Sequence, residues 1–205
     1  MTSKVTTVVF DVGNVLIHWD PHNLYRKLIP DDTERDYFLN TVCHYDWNLE
    51  QDKGRGWQEA LEERIGQFPH HEDLIRAYYD RWEEMLDGHV EGTVKLLKEL
   101  KDGGVPLYAI TNFSSEKFEV AKQIFPFLAD SFRDTVVSAE EKLLKPDRRI
   151  YEILIERNNL NPSELVFVDD TYKNVLGAQA VGMQALHFET PEKLRADLKT
   201  LGLQW

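Results

Sequence analysis

An internal disulfide is excluded in this chain, because its 205 residues include a single cysteine, Cys43. A reducing compartment is the simplest expectation, with Cys43 acting as a small buried hydrophobe. Positive charge is also scarce: 24 Lys and Arg stand against 36 Asp and Glu, for a formal net charge of -12. That balance opposes nonspecific attachment to nucleic acid or to an anionic bilayer, and neither is expected as a partner. No apolar run has the length of a membrane span. The opening MTSKVTTVVFDVG has no apolar h-region and no small-residue cleavage site, so the cytoplasm is the expected location. Internal repeats and low-complexity tracts are missing as well. What remains is an ordinary globular composition, 42% hydrophobic, in a chain long enough for one domain or one domain with an insertion.

Four short apolar runs are present: VTTVVF (5–10), VPLYAI (105–110), LVFVD (165–169) and MQALHF (183–188), with a weaker fifth, DTVVS (134–138). Their near-continuous hydrophobicity suits strands buried on both faces of a parallel sheet. Helical spacing separates them. Val94, Leu97 and Leu100 form one stripe, and Leu194, Leu198 and Leu201 form another, started by Thr190-Pro191 and ended by Gly202. This alternation predicts an α/β fold, a doubly wound, mainly parallel Rossmann-like sheet. The stretch from about Asp20 to Gly88 departs from it, with no convincing strand. Trp57, Ala60, Leu61 and Ile65 share one helical face; Leu74, Ile75, Tyr78, Trp82, Met85 and Leu86 share another. We expect a core of residues 1–18 and 89–205 carrying an inserted helical cap at 19–88, opened by the Asp20-Pro21 pair.

In such sheets ligands bind beyond the carboxyl ends of the strands. The polar residues in those places are Asp11, then Thr111 and Asn112, then Asp169 and Asp170, with Lys145 in the loop KLLKPD. Three carboxylates brought together in an acidic protein repel one another or take up protons. A hard divalent cation resolves this, and Mg²⁺ typically takes one or two carboxylates together with substrate phosphate oxygens. The Gly13 carbonyl can join without a side chain, Lys145 adds a fixed positive charge, and Thr111 adds a donor. The set is suited to a phosphoryl group, hence to a small phosphorylated metabolite as partner.

The segments FDVGNVL, ITNFS, KPDRRIY and FVDDTYKNVLGAQAVGM resemble, in order, the four motifs of the haloacid dehalogenase superfamily. The inserted helices resemble those of its C1-capped members. Within the superfamily, the D-x-G-N-V opening and the Asp pair are most similar to the branch of sugar-phosphate phosphatases, including one acting on α-D-glucose 1-phosphate. The resemblance implies Asp11 as nucleophile through an aspartyl-phosphate. It implies Thr111 holding a phosphate oxygen, Asn112 positioning nearby groups and Lys145 neutralising charge. Mg²⁺ would be held by Asp11, the Gly13 carbonyl and Asp170, with Asp169 acting through water. Monomer or homodimer is the implied state. His18, Trp47 and Arg55 are the candidate substrate contacts in or near the insertion.

One acid is missing from this pattern. The family's phosphatases usually carry a second Asp two residues after the nucleophile, and here that position is Gly13. General acid–base catalysis contributes typically about 10² to 10⁴ in rate, so its loss implies slow turnover, an undemanding leaving group, or an acid from elsewhere. His18, Asp20 and residues of the cap are the candidates. Two rival readings follow. A metal-independent 2-haloacid dehalogenase would use Asp11 to displace halide from carbon, although Asp169 and Asp170 would repel its substrate. A catalytically weak phosphate- or metabolite-binding protein would retain the site without efficient turnover.

Overall fold

The computed structural model describes residues 4–205. The first three residues, part of the segment read above for a leader, lie outside the described residues. The chain begins with strand β1 (Thr7–Phe10) and β2 (Ile17–Trp19). Helices α1 (His22–Leu28), α2 (Asp32–Tyr37), α3 (Tyr45–Asp52), α4 (Trp57–Gln67) and α5 (Glu72–Asp80) follow. Then come β3 (Leu86–His89), α6 (Glu91–Asp102), β4 (Leu107–Thr111), α7 (Ser115–Ile124), α8 (Phe127–Asp130), β5 (Thr135–Val137) and α9 (Ser138–Glu141). The remainder is α10 (Arg148–Arg157), β6 (Leu165–Asp169), α11 (Tyr172–Ala180), β7 (Gln184–His187) and α12 (Pro191–Thr200).

Five strands form one parallel sheet in the order β5-β4-β1-β6-β7. The strand alternation divides its side chains between two buried faces. Val8, Phe10, Leu107, Ala109, Val166 and Val168 pack on one side with Leu96, Leu97 and Leu100 of α6 and Leu194 and Leu198 of α12. Val9, Tyr108, Ile110 and Phe167 pack on the other with Ile150 and Leu154 of α10. Burial on both sides explains why these strands read as continuous apolar runs. The helix start at Thr190 is as expected, with its Oγ1 accepting the Lys193 N–H at 3.2 Å. Asp20 accepts the His22 N–H at 2.9 Å where α1 begins.

The expectation of no strand between Asp20 and Gly88 is corrected at its end. β3 pairs antiparallel with β2, Ile17 opposite His89 and Trp19 opposite Leu86. Both strands are short, and Leu86–His89 is polar except at its first residue, so neither shows a clear period-2 pattern. Their pairing is fixed by partners about 70 residues apart in sequence, beyond any local signal. All five helices α1–α5 lie between this ribbon's two strands. Leu24, Tyr25, Phe38, Trp47, Trp57 and Tyr78 from this stretch belong to the same apolar cluster as the α6 and α12 side of the sheet.

Two close approaches fix loops at the carboxyl edge. Gly177 of α11 lies where a Cβ would come within 2.9 Å of the Pro146 carbonyl oxygen and the Tyr151 hydroxyl, so the helix sits directly against the Lys145-Pro146 loop. Gly54, two residues after α3, has φ +100°, and a Cβ there would lie 2.7 Å from the Ala139 carbonyl oxygen. The turn after α3 is thereby pressed onto the core at α9, with the Ser138 hydroxyl donating to the Asp52 carbonyl. Gly54→Ala combines a left-handed backbone with a backbone clash and is expected to cost about 1–3 kcal/mol. Denaturant unfolding measures this, and an unchanged midpoint would show that the turn is not locked.

Candidate active site

The parallel strands end together, and their ends carry the chemistry. Asp11 follows β1, its backbone N–H continuing the ladder to the Val168 carbonyl at 2.8 Å. Thr111 is the last residue of β4 and Asp169 the last of β6. Lys145 arrives from the loop before α10, almost fully buried, and its Nζ lies 2.7 Å from Asp11 Oδ1 and 2.7 Å from Asp169 Oδ2. Asn112 anchors this lysine at its backbone: its Oδ1 accepts the Lys145 N–H at 2.8 Å and its Nδ2 donates to the Lys145 carbonyl at 3.2 Å.

The three carboxylates are held differently. Asp169 is fully buried and saturated: it accepts from Lys145, from the Thr171 N–H at 2.8 Å and from Asn174 Nδ2 at both oxygens. Asp11 Oδ1 accepts the Val12 N–H at 2.6 Å as well as Lys145, and among the described residues nothing donates to its Oδ2. Asp170, half-buried, has only local contacts, from its own backbone N–H and, at 3.5 Å, from the Thr171 hydroxyl. Oxygens of Asp11, Asp169 and Asp170 lie within 4.8 Å of one another. That span suits ligands around one hard cation, where metal–oxygen distances are about 2.1 Å.

Charge does not balance within the protein. With all four groups ionised, three carboxylates and one ammonium would leave two negative charges in a largely desolvated place. Burial pushes the Asp11 carboxyl up to about 8, with Lys145 opposing the shift and Asp169 adding to it. Asp170 is also raised, by burial first and then by Asp169. Burial works to lower Lys145, but Asp11 and Asp169 outweigh it and hold the ammonium above its ordinary range. The Thr111 hydroxyl is buried with no hydrogen-bond partner among the described residues. A dication among the carboxylates and an oxygen acceptor for Thr111 would complete this donor set, so the residues present fit a Mg²⁺ ion. Asp11, Asp170 and the Gly13 carbonyl could hold it, with the saturated Asp169 behind them.

A cavity of about 320 Å³ opens over this edge. Asp11, Gly13, Asn112, Lys145 and Asp170 line its floor, while Tyr45, Asn48, Asp52, Trp57 and Trp82 line it from the helical stretch, beside Trp19, Phe113 and Lys117. The three substrate contacts expected from sequence lie elsewhere. Trp47 is buried against Trp57 and Tyr78, with ring centroids 6.0 and 5.2 Å away. Arg55 pairs with Glu63 and, at 3.3 Å, with Glu59. His18 is exposed on β2, next to a separate depression shared with Asp20 and Arg26. Sequence reasoning missed Tyr45, Asn48 and Asp52, yet their spacing of three and four puts them on one face of α3. That polar stripe was the available signal.

A family model for haloacid dehalogenase-like hydrolases matches residues 5–182. The sesquiterpene phosphatase astK of Aspergillus oryzae (strain ATCC 42149 / RIB 40) is 30% identical over 190 residues, covering 91% of each chain. A glyceraldehyde 3-phosphate phosphatase of Pyrococcus furiosus is 28% identical, covering 96% of this chain and 85% of its own. Among solved structures, the HAD family enzyme bt-2542 of Bacteroides thetaiotaomicron, in complex with magnesium and inorganic phosphate, superposes with a TM-score of 0.70 at 23% identity. That match covers 91% of this chain and 95% of that one. The chain belongs to the haloacid dehalogenase-like hydrolases.

Removing one partner of a buried ion pair leaves uncompensated charge, at a cost of about 3–5 kcal/mol. Lys145→Met is expected to lose that much in metal-free protein above about pH 8, where Asp11 ionises in wild type. A carboxyl whose folded pKa is raised destabilises the fold as pH climbs from its unfolded value toward the folded one. Wild type stops losing stability through Asp11 at about pH 8, whereas without the lysine the folded value is higher and the loss continues, so the gap should widen from about pH 6 to about pH 9. Denaturant melts at both pH values check this, and a gap independent of pH would count against the charge account.

Proposed function

We propose that this haloacid dehalogenase-like hydrolase is a Mg²⁺-dependent phosphatase acting on a small phosphomonoester. The carrying observation is the trio Asp11, Asp169 and Asp170 around one buried lysine, two negative charges short of balance. In this reading residues 19–88 form a cap over the sheet edge. Asp11 Oδ2, free of protein donors, is the attacking oxygen, while Oδ1 is fixed by Val12 and Lys145. The bond formed is from that oxygen to phosphorus, giving an aspartyl-phosphate that water then cleaves. Lys145 balances charge on the nucleophile, and the unpartnered Thr111 hydroxyl donates to a phosphate oxygen. When bound, Mg²⁺ would supply positive charge to the carboxylates and to the non-bridging phosphate oxygens. Asn112 has a positioning role, since both its bonds go to the Lys145 backbone.

The walls bear on the organic part of the substrate. Trp19, Trp57, Trp82 and Phe113 give the cavity broad aromatic faces, which suit an apolar or ring-shaped group. The similarity to a sesquiterpene phosphatase supports an apolar group. The sugar phosphate suggested by the sequence motifs is the alternative occupant of those faces. A 2-haloacid fits less well, because its own carboxylate would meet the two charges left by the trio.

A panel of prenyl, sugar, triose and nucleotide phosphates, with haloacids alongside, tests the reading. Phosphate release is expected only with Mg²⁺, lost on chelation and reduced to background in Asp11→Asn. Asp170→Asn should weaken Mg²⁺ binding, measured directly by calorimetry. Halide release insensitive to chelator, or undiminished phosphate release in Asp11→Asn, would overturn the proposal.

A further inference from the structure

The Gly13 position does not itself require a glycine. Its φ lies outside the left-handed region, and a Cβ built there would meet no atom within 4 Å. The space beside Asp11 that a second acid would fill is open, and a different carboxylate borders the same cavity. Asp52, the last residue of α3, is the one lining carboxylate among the described residues apart from Asp11 and Asp170. From this placement, and on the phosphatase reading above, we infer that Asp52 is the general acid–base that Gly13 cannot provide.

Asp52 is held as such a group must be. Asn48 Nδ2 donates to its Oδ2 at 2.9 Å, and the Ser114 backbone N–H also bonds to the carboxylate. Its own carbonyl accepts the Ser138 hydroxyl, which in turn accepts the Phe113 N–H at 2.8 Å. Ser114 Oγ accepts Trp57 Nε1 at 3.1 Å. An acid on the inserted helices is thus fixed to the loop that follows β4, beside Thr111 and Asn112. Burial pushes its carboxyl up to about 7, with the Ser114 bond opposing, so both protonation states are populated near neutrality.

The other titratable groups on the cavity are less suited. Lys117 is engaged, its Nζ donating to the Tyr79 carbonyl at 2.8 Å and lying over the Tyr79 ring. Tyr45 is raised by burial and then by Asp52, away from the working range of a neutral-pH acid. Tyr78, behind the cavity wall, is raised well above its ordinary range for the same two reasons among others. No histidine lines the cavity among the described residues.

The steps balance as follows. Asp11 Oδ2 forms its bond to phosphorus while the ester P–O bond breaks, the electron pair leaving with the alkoxide oxygen, which takes the Asp52 proton. A water oxygen then bonds to phosphorus as its proton passes to the Asp52 carboxylate. The Asp11–phosphorus bond breaks with its electron pair returning to Asp11. Phosphate leaves, and both residues regain their starting states.

The test compares first-turnover alcohol release from two esters of similar shape, p-nitrophenyl phosphate and benzyl phosphate, with Mg²⁺ in excess. A nitrophenolate leaves without a proton, whereas a benzyl alkoxide needs one. In Asp52→Asn, benzyl alcohol release should fall by about 10²- to 10⁴-fold. Nitrophenol release should change little, which also reports an intact fold. Adding Gly13→Asp to this variant should recover part of the benzyl phosphate activity. Equal losses on both esters, or no loss on either, would overturn the assignment of Asp52 alone. Wild-type protein that releases neither alcohol, and is indistinguishable from Asp11→Asn, would overturn the phosphatase reading together with it.

Discussion

One ammonium group buried between two carboxylates is the constraint on which the site depends. Lys145 bonds Asp11 and Asp169 at 2.7 Å each, and the three residues come from three separate parts of the chain. Taking such charges out of water costs several kcal/mol per ion, and the pairing offsets this only with good geometry and additional hydrogen bonds. The surroundings supply those bonds: Asn112 fixes both backbone groups of the lysine, while Asn174 and the Thr171 N–H fill the lone pairs of Asp169. Tyr151 holds Asn174 in turn, its hydroxyl donating to the Asn174 carbonyl at 2.9 Å. Among the described residues, Asp170, one oxygen of Asp11, the Thr111 hydroxyl and Asn174 Oδ1 are left with weak partners or none. On the proposed phosphatase reading, the first three are the groups left to meet an ion and a phosphoryl group.

The edge of the sheet is joined to the inserted helices by polar contacts as well as by the shared apolar cluster. Ser138 bonds the end of α3, Ser114 bonds the Trp57 indole, and Gly54 lets the α3 turn press against Ala139. These contacts fall beside Asn112 and Thr111, so a displacement of α3 would be felt at the residues assigned above to the phosphoryl group and its lysine. The β2–β3 ribbon brackets the helices α1–α5, its first strand beginning a few residues after Asp11 and its second ending just before α6. Asp11 and these helices are consequently close in chain as well as in space.

Much of this was legible in the sequence, and the reasons are specific. The strands β1, β4 and β6 announced themselves because burial on both faces leaves little room for polar residues before the strand end. The first polar residue after each run, or its last residue, therefore fell at the carboxyl edge: Asp11, Thr111 and Asp169. Lys145 joins them by its position in the loop between β5 and α10, and the motif resemblance supports choosing it over Lys142. The residues over the site were less accessible to such reasoning. Trp47 and Trp57 are both buried aromatics in short helices, and only the packing decides that Trp57 borders the cavity while Trp47 backs onto Tyr78. Arg55, attractive as a cation near an anionic substrate, is taken up by two glutamates on α4. The β2–β3 pairing could not be read at all, because its register is set by residues far apart in sequence.

In the proposed phosphatase, Gly13 separates two duties that a neighbouring Asp would combine on one loop. Phosphate and metal handling would stay with the sheet, through Asp11, Thr111, Lys145 and Asp170. Proton transfer, on the assignment of Asp52, passes to α3 in the insertion, which also contributes Tyr45 and Asn48 to the same wall. On these two proposals the inserted helices both meet the organic part of the ester and protonate it. A substrate whose leaving group does not fill the aromatic space has its ester oxygen placed by the phosphate alone, with no second anchor to bring that oxygen toward Asp52. Geometry at a proton-transfer step is exacting, with heavy atoms about 2.6–3.2 Å apart or bridged by one water. Selection among leaving groups is then expressed in the rate of the bond-breaking step as well as in binding. This is the use of binding energy that raises turnover, because remote contacts are converted into alignment at the reacting atoms.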